Sequence, residues 1–251
     1  MNFGGARRCQ ESPDRQAVSD LNLIKMHSQR TVTTYYDQLA PDYDENRFGN
    51  SYGQYLDAQE RKILRAWLPE ASYPDNLDLG CGTGRLLDFA GHGLDASAPM
   101  IGEARKKYPE KDLIVGDATT PPFGAARFAN VYSFHLLMHL DADKVAAIFR
   151  AAHQYLLPNG LMIVDLPSAQ RRRLVNYRAS NWHGAFGASP QEVRQLLGDD
   201  WELVAYVGIG FFPVHRIPVR WRPTLRKLDD WLCRSPLRHL SSYLVYILRK
   251  Q

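Results

Sequence analysis

The chain has 251 residues, of which 45% are apolar and 23% charged, with a formal net charge of +4. That balance excludes a disordered or collagen-like chain, and the length suits one sizeable core with inserted segments. No apolar run approaches the roughly 20 residues of a membrane span, and Arg7-Arg8 is not followed by an apolar stretch, so neither a span nor a signal peptide is expected.

Cysteine is sparse, at Cys9, Cys81 and Cys233, with no C-x-x-C pair. A disulfide framework and a structural metal site are therefore not expected, and a reducing cytoplasm is the expected location. The charge is unevenly spread. From Pro213 to Gln251 there are nine Lys/Arg against Asp229 and Asp230. This basic stretch reads as a solvated face, or as a surface for an acidic substrate, an anionic membrane or nucleic acid.

In chain order, residues 1–30 are polar without a sustained period and read as a loose leader, with Met26 an alternative natural start. A single domain is expected over 31–251, with lid helices in 31–70. Tyr52 to Leu68 has helical spacing of Tyr52, Leu56, Ile63, Leu64 and Trp67. Residues 76–166 alternate strand and helix. Leu77-Asp78-Leu79 reads as a buried strand running into Gly80-Cys81-Gly82-Thr83-Gly84, and Arg85 to Ala90 reads as the start of a helix. Gly93 to Ser97 is a second strand and Pro99 to Tyr108 a helix with its proline near the first position. Leu113 to Ala118 is a third strand, Ala129 to Phe134 a fourth, and Asp141 to Leu157 a helix. Pro158-Asn159-Gly160 reads as a turn into a fifth strand, Leu161 to Asp165.

Residues 167–251 break the alternation. Pro167 to Ser189, with Arg171-Arg172-Arg173, Tyr177, Trp182 and His183, reads as a substrate-side insertion. Pro190 to Leu197 reads as a helix and Trp201 to Phe212 as a strand. The basic segment to Leu237 contains a helix, and Tyr243 to Leu248 closes the chain as a last strand. The fold class expected is α/β, a Rossmann-like seven-stranded mostly parallel sheet with helices on both faces and one antiparallel strand near the C-terminus.

A glycine-rich turn at the carboxyl end of a parallel strand lets a ligand approach bare backbone N–H groups. The dinucleotide fingerprint needs a third glycine where this chain has Arg85. The order G-x-G-x-G with Asp78 upstream instead resembles motif I of the class I S-adenosylmethionine-dependent methyltransferases. Three acids end successive strands: Asp78, Asp95 seventeen positions later, and Asp117. Each acid alone could be a helix cap.

The resemblance implies S-adenosyl-L-methionine as cofactor. It assigns Asp78, Gly80, Cys81 and Gly82 to the methionyl end, Asp95 and Ala96 to the ribose, and Met100, Asp117 and Ala118 to the adenine. It puts Phe134 against the methionyl moiety through its backbone. Tyr36, Tyr43 and Arg47 resemble the lid of small-molecule methyltransferases of the quinone-biosynthesis and natural-product type, where tyrosines close over the cofactor and a basic residue meets its carboxylate.

The reaction implied is in-line transfer of a methyl group to an O, N or C atom of a metabolite, with His135 or His139 as general base and His183 and His215 as further pocket candidates. The boxes of amino-methylating nucleic-acid enzymes, of cytosine-C5 enzymes, of protein arginine enzymes and of magnesium-dependent catechol enzymes are not seen. A small-molecule acceptor is therefore the expected partner, without specific nucleic acid. Peripheral membrane contact through the basic C-terminal segment stays open. So do two alternatives, a catalytically idle cofactor-binding subunit and a basic membrane- or RNA-associated methyltransferase.

Overall fold

The computed structural model describes residues 32–178 and 186–251, except for the side chain of His215. The expected leader, and Trp182 and His183, lie outside the described residues.

A helix over 32–39, α1, is followed by a short 3₁₀ turn and by α2 (Tyr43–Phe48) and α3 (Ser51–Trp67). The Asn50 side chain caps α3 by accepting from the backbone N–H groups of Tyr52 and Gly53. Then come β1 (Asn76–Leu79), β2 (His92–Asp95), α4 (Ala98–Lys107), β3 (Asp112–Val115) and β4 (Phe128–Ser133). After them lie α5 (Ala142–Tyr155), β5 (Leu156–Pro167), α6 (Ala169–Leu174), α7 (Pro190–Leu197), β6 (Trp201–Ile209), α8 (Arg222–Leu232) and β7 (Tyr243–Lys250). The strands form one seven-stranded sheet in the order β3-β2-β1-β4-β5-β7-β6. All neighbours are parallel except β7, which runs antiparallel to both β5 and β6. The expected sheet and its one reversed strand are both present.

The sheet is buried on both faces, and β7 shows how. Leu244, Tyr246 and Leu248 enter one apolar cluster with α5 and α7, while Val245 and Ile247 enter the other with α3. The period of two in side-chain direction sends alternate residues to opposite layers, so a strand in mid-sheet must be apolar throughout. Strand order reverses between β1 and β4, which opens a crevice beyond their carboxyl ends.

Two local expectations are corrected. No α-helix follows the glycine loop; the chain makes turns and then a 3₁₀ segment, Leu87–Phe89. Leu86, Leu87, Phe89 and Ala90 are all buried, which a helix lying on one side of a sheet could not arrange. Side chains also take the carbonyls that helical N–H groups would need. Arg61 donates to Arg85 O, Tyr132 to Leu86 O, and Lys111 to Leu87 O and Ala90 O. The second correction is Pro158-Asn159-Gly160, which lies inside β5 rather than in a turn. Leu156 pairs with Phe128 and Leu161 with Asn130, so the extra residues form a bulge, with Asn159 at φ 63°.

Candidate active site

The crevice holds a cavity of about 490 Å³. Its floor is the strand ends, and its cover is α1 and α2, which contribute Val32, Thr33, Tyr36 and Tyr43. A smaller recess of about 50 Å³ shares Tyr43, Gly80, Gly82, Phe134 and His135 with the cavity and is closed by Asp78, Cys81, Thr83 and Arg85.

The glycine loop leaves β1 with Gly80 at φ 80° and Gly82 at φ 54°, backbone conformations that side chains resist. A Cβ on Gly80 would press on the Leu136 side chain at 3.1 Å, whereas a Cβ on Gly82 would have nothing within 4 Å. The loop therefore presents bare backbone to open space. Its N–H groups are already engaged: Gly80 and Cys81 donate to Leu94 O, and Gly82 donates to Asp95 Oδ2 at 2.9 Å. With those donors occupied and no helix behind them, the loop is not a phosphate cradle. A pyrophosphate-bearing dinucleotide does not suit this site.

Asp95 accepts from Gly82 N on one oxygen and from Ser97 N, at 2.8 Å, on the other. Asp95 lines the cavity, and a carboxylate with about four acceptor positions has capacity for a ligand beside these backbone donors. Asp117 lies two residues beyond β3 rather than in it, and its Oδ1 accepts from the backbone N–H and the hydroxyl of Thr119. Capping and ligand binding are thus compatible at both acids. Ala96, Met100, Ala118 and Phe134 line the same cavity, with Met100 buried beneath it. Asp78 is fully enclosed at the recess. Burial raises its carboxyl to about 8, with Arg85 as the main opposing pull and Asp95 and Glu60 each adding a smaller repulsion.

Both histidines line the cavity, in different states. His135 has φ 61° and lies between two buried carboxylates: Nε2 is 2.7 Å from Glu60 Oε1 and Nδ1 is 3.3 Å from Asp165 Oδ2, while its backbone N–H donates to Asp165 Oδ1. Burial alone would lower its pKa, but Glu60 and Asp165 outweigh that and raise it. His139 Nε2 is 2.9 Å from the Tyr36 hydroxyl, whose phenol burial holds well above its usual range.

Arg47 lines neither space; its guanidinium is 3.3 Å from the Tyr35 hydroxyl on the exposed side of α2. The cation facing the recess is Arg85, paired with Asp57 and Glu60 at 2.6 Å each. Phe211 and Phe212 stack edge to face away from the cavity. Sequence reading did not assign Glu60, Arg85, Asp165 or Leu136. Asp165 had a signal, since it is another acid near a strand's carboxyl end. Glu60 had one too, a charge four positions after Leu56 and four before Leu64 on the apolar side of α3, but nothing in the sequence named its partners.

Among the described residues no three His, Cys, Asp or Glu side chains are grouped as a metal site requires, and no helix is long and apolar enough to cross a membrane.

Residues 77–164 match the family described as a methyltransferase domain, and the sheet order, switch-point cavity and glycine loop with strand-end carboxylates resemble those of class I S-adenosylmethionine-dependent methyltransferases. Two relatives and one solved structure give the similarity its particular form. The chain is 27% identical over 163 residues to the demethylmenaquinone methyltransferase of Chlorobaculum tepidum, covering 61% of this chain and 66% of that protein. It is 28% identical over 222 residues to the aklanonic acid methyltransferase of a Streptomyces species, covering 82% and 86%. Its fold matches the magnesium protoporphyrin IX methyltransferase of Synechocystis with bound S-adenosylhomocysteine at a TM-score of 0.60 and 14% identity, covering 89% and 100%. The first of these alignments falls just short of two thirds of the relative's length.

Proposed function

We propose that the chain is an enzyme that transfers a methyl group from S-adenosylmethionine to a small, partly aromatic or apolar metabolite bound beneath α1 and α2. The observation that carries this reading is the convergence of Asp95, Asp117, Met100 and the bare Gly82 backbone on the same cavity as His139 and Tyr36. The two relatives are named for demethylmenaquinone and aklanonic acid, and the lining by Val32, Phe134, Leu136 and Leu140 suits an acceptor with apolar parts.

When bound, the cofactor supplies a methyl group already activated on a sulfonium. Asp95 would accept from the ribose hydroxyls through charge-assisted hydrogen bonds, and Asp117 from the adenine amino group. Asp78 would face the cofactor's ammonium group from the recess, and Arg85 its carboxylate, the role the sequence had suggested for Arg47. Tyr36 and Tyr43 exclude water from above. Phe134 and Met100 fix the plane of the bound molecule, so that alignment rather than activation is the protein's main contribution.

For an acceptor that must lose a proton, His139 is the base and His135 is not. A histidine clasped by Glu60 and Asp165 holds its own proton, and its part is to orient the chain between β4 and α5. Buried free thiols at Cys81 and Cys233 suit the reducing cytoplasm expected for the chain.

The test is incubation with methyl-labelled cofactor and a metabolite extract, followed by identification of the labelled product. Labelled product is expected from the native chain, with the rate in His139→Ala lowered about 10²- to 10⁴-fold. Cofactor binding without label in any metabolite would overturn the enzymatic reading in favour of an idle cofactor-binding subunit.

A further inference from the structure

The basic C-terminal segment carries an outward-facing helix whose pattern the proposed chemistry does not use. Asp229, in the middle of α8, is completely buried, accepting from Gln59 Nε2 at 2.7 Å and from the Phe212 backbone N–H at 2.8 Å. Cys233, four residues on, is buried beside it at 3.5 Å. Those contacts fix the inner face of the helix, so the opposite face is turned to solvent.

That outer face is apolar where a solvated helix would be polar. Trp221, at the start of α8, is 53% exposed, Leu228 46% and Trp231 64%. With exposed Thr224 they fall at positions 221, 224, 228 and 231, the three- and four-residue spacing of one helical stripe. Beside it runs a second row at a spacing of seven, Arg220, Lys227 and Arg234, all exposed. The Arg220 guanidinium lies 5.7 Å from the Trp221 ring, which keeps that charge next to the stripe. Neither acid of the helix lies on the apolar stripe, although Asp230 is close enough to attract Arg234. Asp229 is inside, and Asp230 is bound by Lys62 at 2.6 Å and by Gln59 at 3.0 Å.

We propose that this face of α8 docks on an anionic lipid bilayer, with the helix lying in the interface plane. Exposed Trp and Leu along one stripe, flanked by cations and with no carboxylate among them, are what the boundary between headgroups and acyl chains accepts. The flanking cations Arg220, Lys227 and Arg234 call for an anionic occupant, and lipid headgroups present negative charge along the whole length of the face. Trp231, Trp221 and Leu228 would enter the headgroup boundary, while Arg220, Lys227 and Arg234 meet lipid phosphates. The surface acts whether or not a methyl group is being transferred.

The test is co-sedimentation of the full chain with phosphatidylcholine vesicles, with and without phosphatidylglycerol, at low and high salt. Binding is expected to the anionic vesicles and to fall at least tenfold on neutral vesicles or in high salt. Leu228→Ser combined with Trp231→Ser should lose at least tenfold in vesicle affinity with an unchanged melting temperature, since both side chains already face water. Replacing Arg220, Lys227 and Arg234 by Gln should cost about fivefold for each cation removed. The proposal is overturned if anionic vesicles fail to pellet the chain or if the Leu228/Trp231 variant binds like the native protein. It is equally overturned if the native chain is a dimer that this variant splits, for then the stripe belongs to a second copy.

Discussion

Asp78 is the residue whose chemistry changes most between sequence and fold. A strand-end aspartate is ordinarily ionised, yet burial raises this one to about 8, so at neutral pH it carries a proton in the ligand-free chain. An ammonium group placed in the recess beside it would favour the carboxylate and expel that proton. Binding of S-adenosylhomocysteine at pH 7 should therefore release a proton, read calorimetrically as a dependence of the enthalpy on the buffer's ionisation heat. Asp78→Asn should abolish the dependence, and an unchanged dependence would remove Asp78 from the site. Asp95 makes a second prediction of this kind. Because it joins the loop to the site through Gly82, Asp95→Ala should weaken binding of the same ligand roughly tenfold or more, measured in the same titration.

At the scale of elements, α3 is what joins the lid to the floor of the site. Glu60 reaches from it to Arg85 at 2.6 Å and to His135 at 2.7 Å, with no exposure to solvent. Burial works against its charge, but Arg85 and His135 more than compensate and lower Glu60 to about 2. Removing the carboxylate takes from Arg85 and His135 their shared buried partner and leaves them only the carboxylates of Asp57 and Asp165. Glu60→Ala should therefore cost about 3–5 kcal/mol in urea unfolding.

The pH dependence follows from the two shifts. Glu60 is lowered in the fold, so its contribution is complete above the ordinary value of 4.5 and is lost as pH falls toward about 2. His135 is raised, so its contribution is complete below 6.5 and is lost as pH rises through its higher folded value. The difference in stability between native and Glu60→Ala chains should thus peak between these limits and shrink toward acid and alkali. The lid helices are held to the same core by further polar contacts, Asp37 with Ser97 and Asp44 with Thr83 and Lys107. They give α1 and α2 a defined seat over the cavity despite the few residues they bury.

For the whole molecule, the sheet fixes where any ligand must lie. Strand order reverses between β1 and β4, and α1 and α2 roof the crevice that results. A ligand bound there touches the strand ends and the lid together, so it stabilises the entire cooperative unit. At a concentration a hundred times its dissociation constant, S-adenosylhomocysteine should add about 2.7 kcal/mol and raise the melting temperature by about 5–10 °C. Nicotinamide dinucleotides should leave it unchanged, because the Gly80, Cys81 and Gly82 N–H groups that a pyrophosphate would need are already bonded within the protein. A melting shift with the dinucleotide alone would reverse the assignment of the site.

The sequence alone determined the sheet and its reversed last strand, and it carries the resemblance on which the proposed cofactor rests. Each depends on patterns that short-range physics imposes: unbroken apolar runs where a strand is covered on both faces, an acid at a strand's carboxyl end, glycines where the backbone must turn with positive φ. Tertiary structure alone decided which partners each histidine meets, that Arg85 rather than Arg47 faces the recess, and that the glycine loop runs into turns instead of a helix. Those outcomes hang on Glu60, Asp165, Arg61 and Tyr132, residues 24 to 75 positions from their partners along the chain. No local pattern announces such partners. Charge and hydrogen bonding act through space, and only the folded chain sets those distances.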